Sequence, residues 1–362
     1  MQRKFPRSIQ RIVVKIGSSV IATYTMRPHT AKLTSLVEQM SVLHAQGIEV
    51  VVVSSGAIVL GMGELNETKR PTDLASLQAR AAIGQAILMQ TYSKLFKKNE
   101  IRCGQVLLTW DDFDNRQRYN NARCTLQALL GKKVIPIINE NDTTSTDEIK
   151  FGDNDKLAAL VASMIRADLL VILSDVAGLY NLKEGKKELF EEIKEITQEI
   201  EGLAVGTSKK HVSKGGMITK LEAIKIATQA SIPSIIAHGE MENVLKRILA
   251  GERIGTLFIE KEDKVLSRKH WISFGAKPKG IIKVDNGAKL ALLERGKSLL
   301  LPGVIGWEGH FKANEVVVVC DQENHEIARG ITNYSTVELD KMGERRGKAE
   351  VIHRDDLVLS KR

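Results

Sequence analysis

At 362 residues the chain is longer than one ordinary hydrophobic core encloses, so two domains are expected. Its 43% hydrophobic content is globular, and an aromatic share of only 4% suits an aliphatic α/β core. The net charge of +9 admits an anionic ligand without requiring nucleic acid, while three scattered cysteines exclude a disulfide scaffold or a zinc module.

Near the start, Arg3, Lys4 and Arg7 resemble the basic region of a signal peptide, but Arg11 and Lys15 interrupt the apolar run that would have to follow. No other apolar run approaches a membrane span, so a cytoplasmic protein with no membrane partner is expected. Residues 11–16 (RIVVKI) read as a buried strand followed by Gly17-Ser18-Ser19. Lys15 stands out there: it is either a snorkelling lysine on a sheet edge or a cation beside an anionic ligand. A helix is expected over 31–46, stopped by Gly47. A valine strand, 49–53, then runs into Ser54-Ser55-Gly56-Ala57, small residues from which a helix can start with its amides open to an anion.

The alternation continues with a helix over 74–97, a strand over 105–109 ending in Trp110-Asp111-Asp112, and a helix over 120–130. The strand 134–138 breaks abruptly into Asn139-Glu140-Asn141-Asp142. A second polar loop, Gly152-Asp153-Asn154-Asp155, precedes a helix over 157–166. A strand over 168–173 ends in Ser174-Asp175, and a helix over 220–229 and a strand over 234–237 close the series. Strands that alternate with helices and end in polar residues predict a doubly wound, mostly parallel α/β sheet. Ligands of such sheets sit at the carboxyl ends of the strands, where these carboxylates and amides would orient a small charged substrate and a divalent cation. Asn- and Asp-rich turns also arise for local reasons alone.

No Walker P-loop is present, and Gly61-Met62-Gly63 lacks both the final glycine and the preceding strand of a dinucleotide fingerprint. The remaining anion cradle is Ser213-Lys214-Gly215-Gly216-Met217-Ile218-Thr219-Lys220, where paired glycines lead into a helix with Lys220 on its first turn.

Taken together, Lys15-Ile16-Gly17-Ser18-Ser19, Val53-Ser54-Ser55-Gly56-Ala57-Ile58, the N-E-N-D and G-D-N-D pair, Ser174-Asp175 with Gly178-Leu179-Tyr180, and Gly215-Gly216-Met217 with Thr219-Lys220 occur in the order found in the amino-acid kinase superfamily. The chain resembles that family over nearly its whole length, and most closely the members that phosphorylate the side-chain carboxylate of L-glutamate. The resemblance implies ATP as co-substrate with Mg²⁺, and Lys15 and Lys220 as the catalytic lysines at the phosphates. It implies Ser55, Asp142 and Asn154 as glutamate-binding residues. For ATP it implies Ser174, Asp175 and the segment Lys214, Gly215, Gly216, Met217, Ile218, Thr219 and Lys220, together with Lys15. The metal ligands are left open, with Asp153 and Asp155 either holding the metal or bracing the loop. A homo-oligomer, dimer or tetramer, and hand-off of the product to glutamyl-phosphate reductase are further expectations of the resemblance. A γ-carboxylate is already ionised at neutral pH, so such a reaction needs positioning and charge neutralisation rather than a general base.

Beyond residue 260 a charged linker over 261–278 is expected, then a small β barrel over 279–357, with strands over 281–284, 298–301, 316–320, 326–330 and 349–352. Its Gly280, Asp285, Gly287, Gly296 and His353-Arg354-Asp355-Asp356 signals resemble a PUA domain, a module that elsewhere binds RNA. No aromatic-basic stripe accompanies them here, which favours a regulatory or packing role. The competing reading is an RNA-binding protein whose kinase-like domain is a scaffold, or a kinase of a related small substrate. The paired lysines and carboxylate loops argue against a scaffold.

The sequence leaves the family pattern at Lys214, where a threonine is usual. A lysine there offers a mobile ammonium to a phosphate, to a carboxylate such as Asp175 or to solvent, and the phosphate contact is the one expected beside a strongly anionic ligand. We expect Lys214→Thr to raise the KM for ATP, more at low than at high ionic strength, because exposed charge contacts are screened by salt. An ATP KM unchanged at both salt levels refutes the contact.

Overall fold

The computed structural model describes residues 3, 5, 8–144, 154–183, 186–206, 216–259, 278–342 and 349–360. The chain divides into two compact units, one of residues 1–112 and 116–264 and one of 265–362 with 113–115.

The first unit is built on an eight-stranded sheet. In chain order its strands are β1 (Arg11–Ile16), β2 (Glu49–Ser54), β3 (Arg102–Leu108), β4 (Val134–Glu140) and β5 (Leu169–Ser174). A two-stranded hairpin, β6 (Tyr180–Lys183) and β7 (Lys186–Leu189), is separate from it, and β8 (Glu192–Ile193), β9 (Ser234–His238) and β10 (Thr256–Phe258) complete the sheet. The order across the sheet is β3-β4-β2-β1-β5-β9-β10-β8. The strands from β3 to β9 all pair in parallel, and β10 runs antiparallel to β9 with β8 alongside it. Helices on both faces explain why β1, β2 and β5 read as unbroken aliphatic runs: Val13, Val14, Val51, Val52, Leu170 and Val171 are all fully buried.

The helices are α1 (Ser18–Ile21), α2 (Thr30–Ala45), α3 (Ala57–Glu64), α4 (Leu74–Lys97), α5 (Trp110–Asp114), α6 (Arg116–Gly131), α7 (Asn154–Ile165), α8 (Gln198–Gly206), α9 (Met217–Gln229) and α10 (Val244–Leu249). Three differ from the sequence expectation in ways that matter. Helix α6 starts four residues earlier than its periodicity suggests, and Trp110-Asp111-Asp112 is a short helix rather than a strand end. Helix α7 begins at Asn154, so Asn154 and Asp155 lie in its first turn instead of in a loop. Asp, Asn and Ser favour both turns and helix starts, so composition alone does not separate the two.

Gly61 and Gly84 have a packing role. A Cβ at Gly61 would fall 1.9 Å from the Arg80 carbonyl oxygen, and one at Gly84 would fall 1.8 Å from that of Ala57. Helices α3 and α4 therefore cross backbone to backbone, and only glycine fits at the crossing. This contact fixes the start of α3, and with it the Ser55-Gly56 corner, against the long α4 helix. Gly56 adopts φ +99 at that corner, and a Cβ there would meet Ile21 at 2.8 Å.

The second unit holds a five-stranded mixed sheet of Gly280–Val284, Val304–Gly309, Val316–Cys320, Glu326–Ile331 and Leu357–Leu359, with a two-stranded pair, Leu299–Leu300 and Glu350–Ile352. Ile282, Val284, Val317, Val319, Leu339, Val351 and Ile352 form its core. The strands Val304–Gly309 and Leu357–Leu359 and the helices Asn286–Leu293 and Thr336–Met342 were not legible in the sequence. The expected linker falls, up to residue 277, outside the described residues. Among the described residues no helix is long and apolar enough to cross a membrane.

Candidate functional site

The sheet order places β1 at the point where the chain reverses direction across the sheet, with β2 and β4 on one side and β5 and β9 on the other. The carboxyl ends of adjacent strands diverge at such a point and leave a crevice. A cleft opens there, lined by Lys15, Gly17, Ser55, Gly56, Arg70, Asn139, Glu140, Asp142, Asn154, Ser174, Asp175 and Lys220, among others. Seven of the residues singled out from the sequence thus come together: Lys15, Ser55, Asp142, Asn154, Ser174, Asp175 and Lys220.

The inner end is organised by one carboxylate. Asp155 Oδ1 lies 2.5 Å from Lys15 Nζ, and Asp155 Oδ2 accepts from Lys220 Nζ at 3.1 Å. All three side chains are buried, at 1% exposure for Asp155, 8% for Lys15 and 6% for Lys220. Lys15 sits on a central strand, so the edge-lysine alternative is excluded. Burial pushes the Asp155 carboxyl up, but the two ammonium groups outweigh it and hold the acid below its ordinary range. An aspartate gripped by two ammoniums is a counter-ion and a brace, poorly placed to hold a metal as well. The triad carries a net positive charge, and Gly17 leaves room beside it: a Cβ there would come to 3.3 Å from Leu173 O and 3.9 Å from Lys15 Nζ.

A chain of amides forms the floor. Asn154 Nδ2 donates to Asn139 Oδ1 at 2.8 Å, to the Ser54 carbonyl at 3.0 Å and to Ser55 Oγ at 3.1 Å. Asn139 Oδ1 also accepts from Glu140 N, and Asn139 Nδ2 donates to Gln85 Oε1 at 2.8 Å. Beneath, the fully buried Tyr92 hydroxyl pairs with Ser54 Oγ at 3.1 Å. Ser55 N in turn donates to Ile16 O at 3.1 Å, so the ends of β1, β2 and β4 and the start of α7 are tied to one another and to α4. Asn154 Oδ1 is buried without a partner among the described residues, an acceptor left over at the cleft floor.

At the mouth, Asp142 follows β4 and is half-buried. Burial pushes its carboxyl up to about 6, and the guanidinium of Arg70 pulls the other way. On the β5 side, Ser174 Oγ donates to Asp175 Oδ1 at 2.8 Å, and Asp175 is exposed.

Among the described residues of the glycine-rich segment, Lys220 alone lines the cleft. Gly216 caps α9, Met217 and Thr219 occupy its first turn with Thr219 Oγ1 donating to Gly216 O, and Ile218 is exposed. Lys214, Gly215 and Asp153 lie outside the described residues. Sequence reasoning passed over Arg70, which sits in a polar stretch with no periodicity to mark it, and over Gln85, concealed within a long helical pattern. Asn139 and Glu140 are legible only collectively, as part of the polar strand end N-E-N-D.

Comparison with known proteins adds two family matches, the amino acid kinase family over residues 10–238 and the PUA domain over residues 280–355. The chain is 43% identical to a glutamate 5-kinase from Caldanaerobacter subterraneus, over 97% of this chain and 98% of that protein. It is 45% identical to one from Dictyoglomus turgidum, over 98% of each, and 42% identical to one from Pelobacter propionicus, over 99% of this chain and 100% of the relative.

Replacing Asp155 by asparagine leaves two buried ammoniums without their counter-charge. Breaking a buried pair in this way costs about 3–5 kcal/mol. We expect Asp155→Asn to lower the urea midpoint accordingly, and added triphosphate to raise its melting temperature more than that of the wild type, because the phosphates replace the missing charge. Unchanged stability overturns the bracing role.

Proposed function

The chain belongs to the amino acid kinase family, and from that premise we propose that it transfers the γ-phosphoryl group of ATP to the side-chain carboxylate of L-glutamate. The product, L-glutamyl 5-phosphate, makes this the first step of proline biosynthesis. The observation that carries the reading is the pair of buried lysines sharing Asp155 at the head of the sheet. Phosphoryl transfer between a phosphate and a carboxylate brings two anions together, and preorganised cations at that point lower the barrier without a proton transfer. Lys15 and Lys220 take the phosphate and the transferring group. Ser55 and Asn154 form the floor on which the acceptor carboxylate is aligned, and Asp142 takes the substrate's α-ammonium.

Mg²⁺ travels with the ATP phosphates in this reading. Asp175 fits it: the residue is exposed beside the cleft, its Oδ1 accepts from the Ser174 hydroxyl, and its Oδ2 has no hydrogen-bond partner among the described residues and can face a cation. Bound there, the ion would neutralise phosphate charge. The product is an acyl phosphate, reactive toward water, which is the chemical reason to expect direct hand-off to a reductase.

An ADP-release assay with Mg²⁺ across glutamate, N-acetylglutamate, aspartate and UMP tests the assignment. Turnover is expected with glutamate, and a preference for any of the other three overturns it. The pH dependence tests Asp142. With its carboxyl at about 6, kcat/KM for glutamate at saturating ATP should fall as the pH drops through that value, because a neutral acid cannot pair with an ammonium. Asp142→Asn should raise the glutamate KM at every pH, abolish that limb and leave the ATP KM little changed. Stability should move oppositely. The folded protein keeps the Asp142 proton up to about 6, whereas the unfolded chain releases it near 3.8, so this residue disfavours folding increasingly as pH rises through that window. The asparagine variant should therefore melt higher than wild type above that window and equally below it. Equal effects on both substrates, with no pH signature, would assign Asp142 to the fold instead.

A further inference from the structure

We propose that Arg70 is the specificity residue for the α-carboxylate of the substrate, binding it while Asp142 binds the neighbouring α-ammonium. The assignment rests on the glutamate reading and extends it to a residue carrying no role so far.

The argument is one of charge matching. Glutamate brings two carboxylates and one ammonium. Its γ-carboxylate attacks the phosphoryl group, so it must face Lys15 and Lys220 at the inner end. The amino-acid head group, two methylenes away, then points along the cleft toward the mouth. There it needs one anion and one cation side by side. Among the described residues, three cationic side chains line the cleft: Lys15, Lys220 and Arg70. The first two share Asp155. Arg70 forms no hydrogen bond or ion pair with any described residue, and the acid that acts on it is Asp142. The two therefore share the cleft without closing on each other, which is the arrangement a zwitterion can bridge.

Guanidinium geometry suits the task. Arginine offers a planar fork of donors that meets a carboxylate through two parallel hydrogen bonds. In the free protein Arg70 is exposed, so much of this attraction is spent on water until substrate covers it. The amides at the start of α3, from Gly56 to Ile58, also line the cleft and are the competing site for the same carboxylate.

Substrate pruning separates these. 4-Aminobutyrate is glutamate without its α-carboxylate, and its terminal carboxylate can still be phosphorylated. With the full-length protein, Arg70→Met should raise the glutamate KM on the order of 10–100-fold, with kcat and the ATP KM within about threefold of wild type. The same substitution should leave kcat/KM for 4-aminobutyrate unchanged, so the preference for glutamate over 4-aminobutyrate collapses in the variant. Arg70→Lys, which keeps the charge and loses the fork, should restore part of it. If the preference persists in Arg70→Met, the α3 amides hold the carboxylate and the proposal is wrong. If both substrates lose equally, Arg70 is structural and the proposal is equally wrong. A wild type inactive on glutamate would overturn the proposed activity itself, a result distinct from an active wild type whose selectivity does not depend on Arg70.

Discussion

Two ammonium groups cannot be buried side by side without a counter-charge, and Asp155 supplies it to Lys15 and Lys220 together. Most of the first unit's design follows from that requirement. Lys15 must come from the middle of the sheet, Lys220 from the first turn of α9, and Asp155 from the first turn of α7, so one strand and two helices have to converge. The parallel sheet delivers this convergence because its strands all discharge polar residues at the same end. The reversal of strand order beside β1 then opens the crevice into which the triad faces. The energetic character of the triad is equally constrained. Its two cations outnumber its one anion, and in a buried setting the surplus charge is poorly screened. A polyanion entering the cleft finds an attraction already assembled, with little reorganisation needed when the phosphoryl group moves.

The floor of the cleft solves a different problem, that of holding three strand ends in register. Carboxamides are suited to it because each both donates and accepts. Asn154 ties β2 and β4 to α7, Asn139 passes the connection to Gln85 on α4, and Tyr92, two turns further along the same face of α4, anchors Ser54. The α4 helix is itself locked to α3 by the glycine contacts at Gly61 and Gly84. A residue at the cleft is thus positioned by a helix whose own register is set by a backbone contact to Ala57, which itself lines the cleft. Local flexibility there would be transmitted directly to the acceptor subsite.

Much of this was legible in the sequence, for identifiable reasons. Strands buried on both faces show as aliphatic runs, and polar residues placed at their ends mark the ligand side, so β1, β2, β4 and β5 and the residues Lys15, Ser55, Asp142 and Ser174 could be picked out in advance. The lysine pair was recognised through motif order, since nothing in the spacing of residues 15 and 220 relates them. What stayed hidden depends on tertiary context. Asp155 reads as one more acid in a turn until α7 is seen to start before it. Gly61-Met62-Gly63 resembles a broken phosphate motif until α4 is laid across it. Arg70 has neither periodicity nor motif, and only the cleft gives it a role. In the second unit, Val304–Gly309 (VIGWEG) holds two glycines and no fully buried position, so no apolar alternation marks it, and Asn286–Leu293 lies between turn signals that suggest only a β barrel.

Under the proposed assignment the cleft has a phosphate end and a head-group end, and this division is what lets a single carboxylic acid be chosen without a general base. At the inner end the chemistry is indifferent to the rest of the acceptor: any ionised carboxylate held near Lys15 and Lys220 could attack. Selectivity therefore has to come from the other end, through contacts that do not change as the bond forms. Those contacts gain affinity from the zwitterion and use it to hold the γ-carboxylate at attacking distance, which converts binding into alignment. An acid too short, such as aspartate, would satisfy the mouth and miss the lysines, and an acylated amine would lose its attraction to Asp142. Under that assignment the separation between Asp142 and the Lys15–Asp155–Lys220 triad selects the length of the acceptor, and the amide network through Asn139 and Asn154 ties together the strand ends beside them.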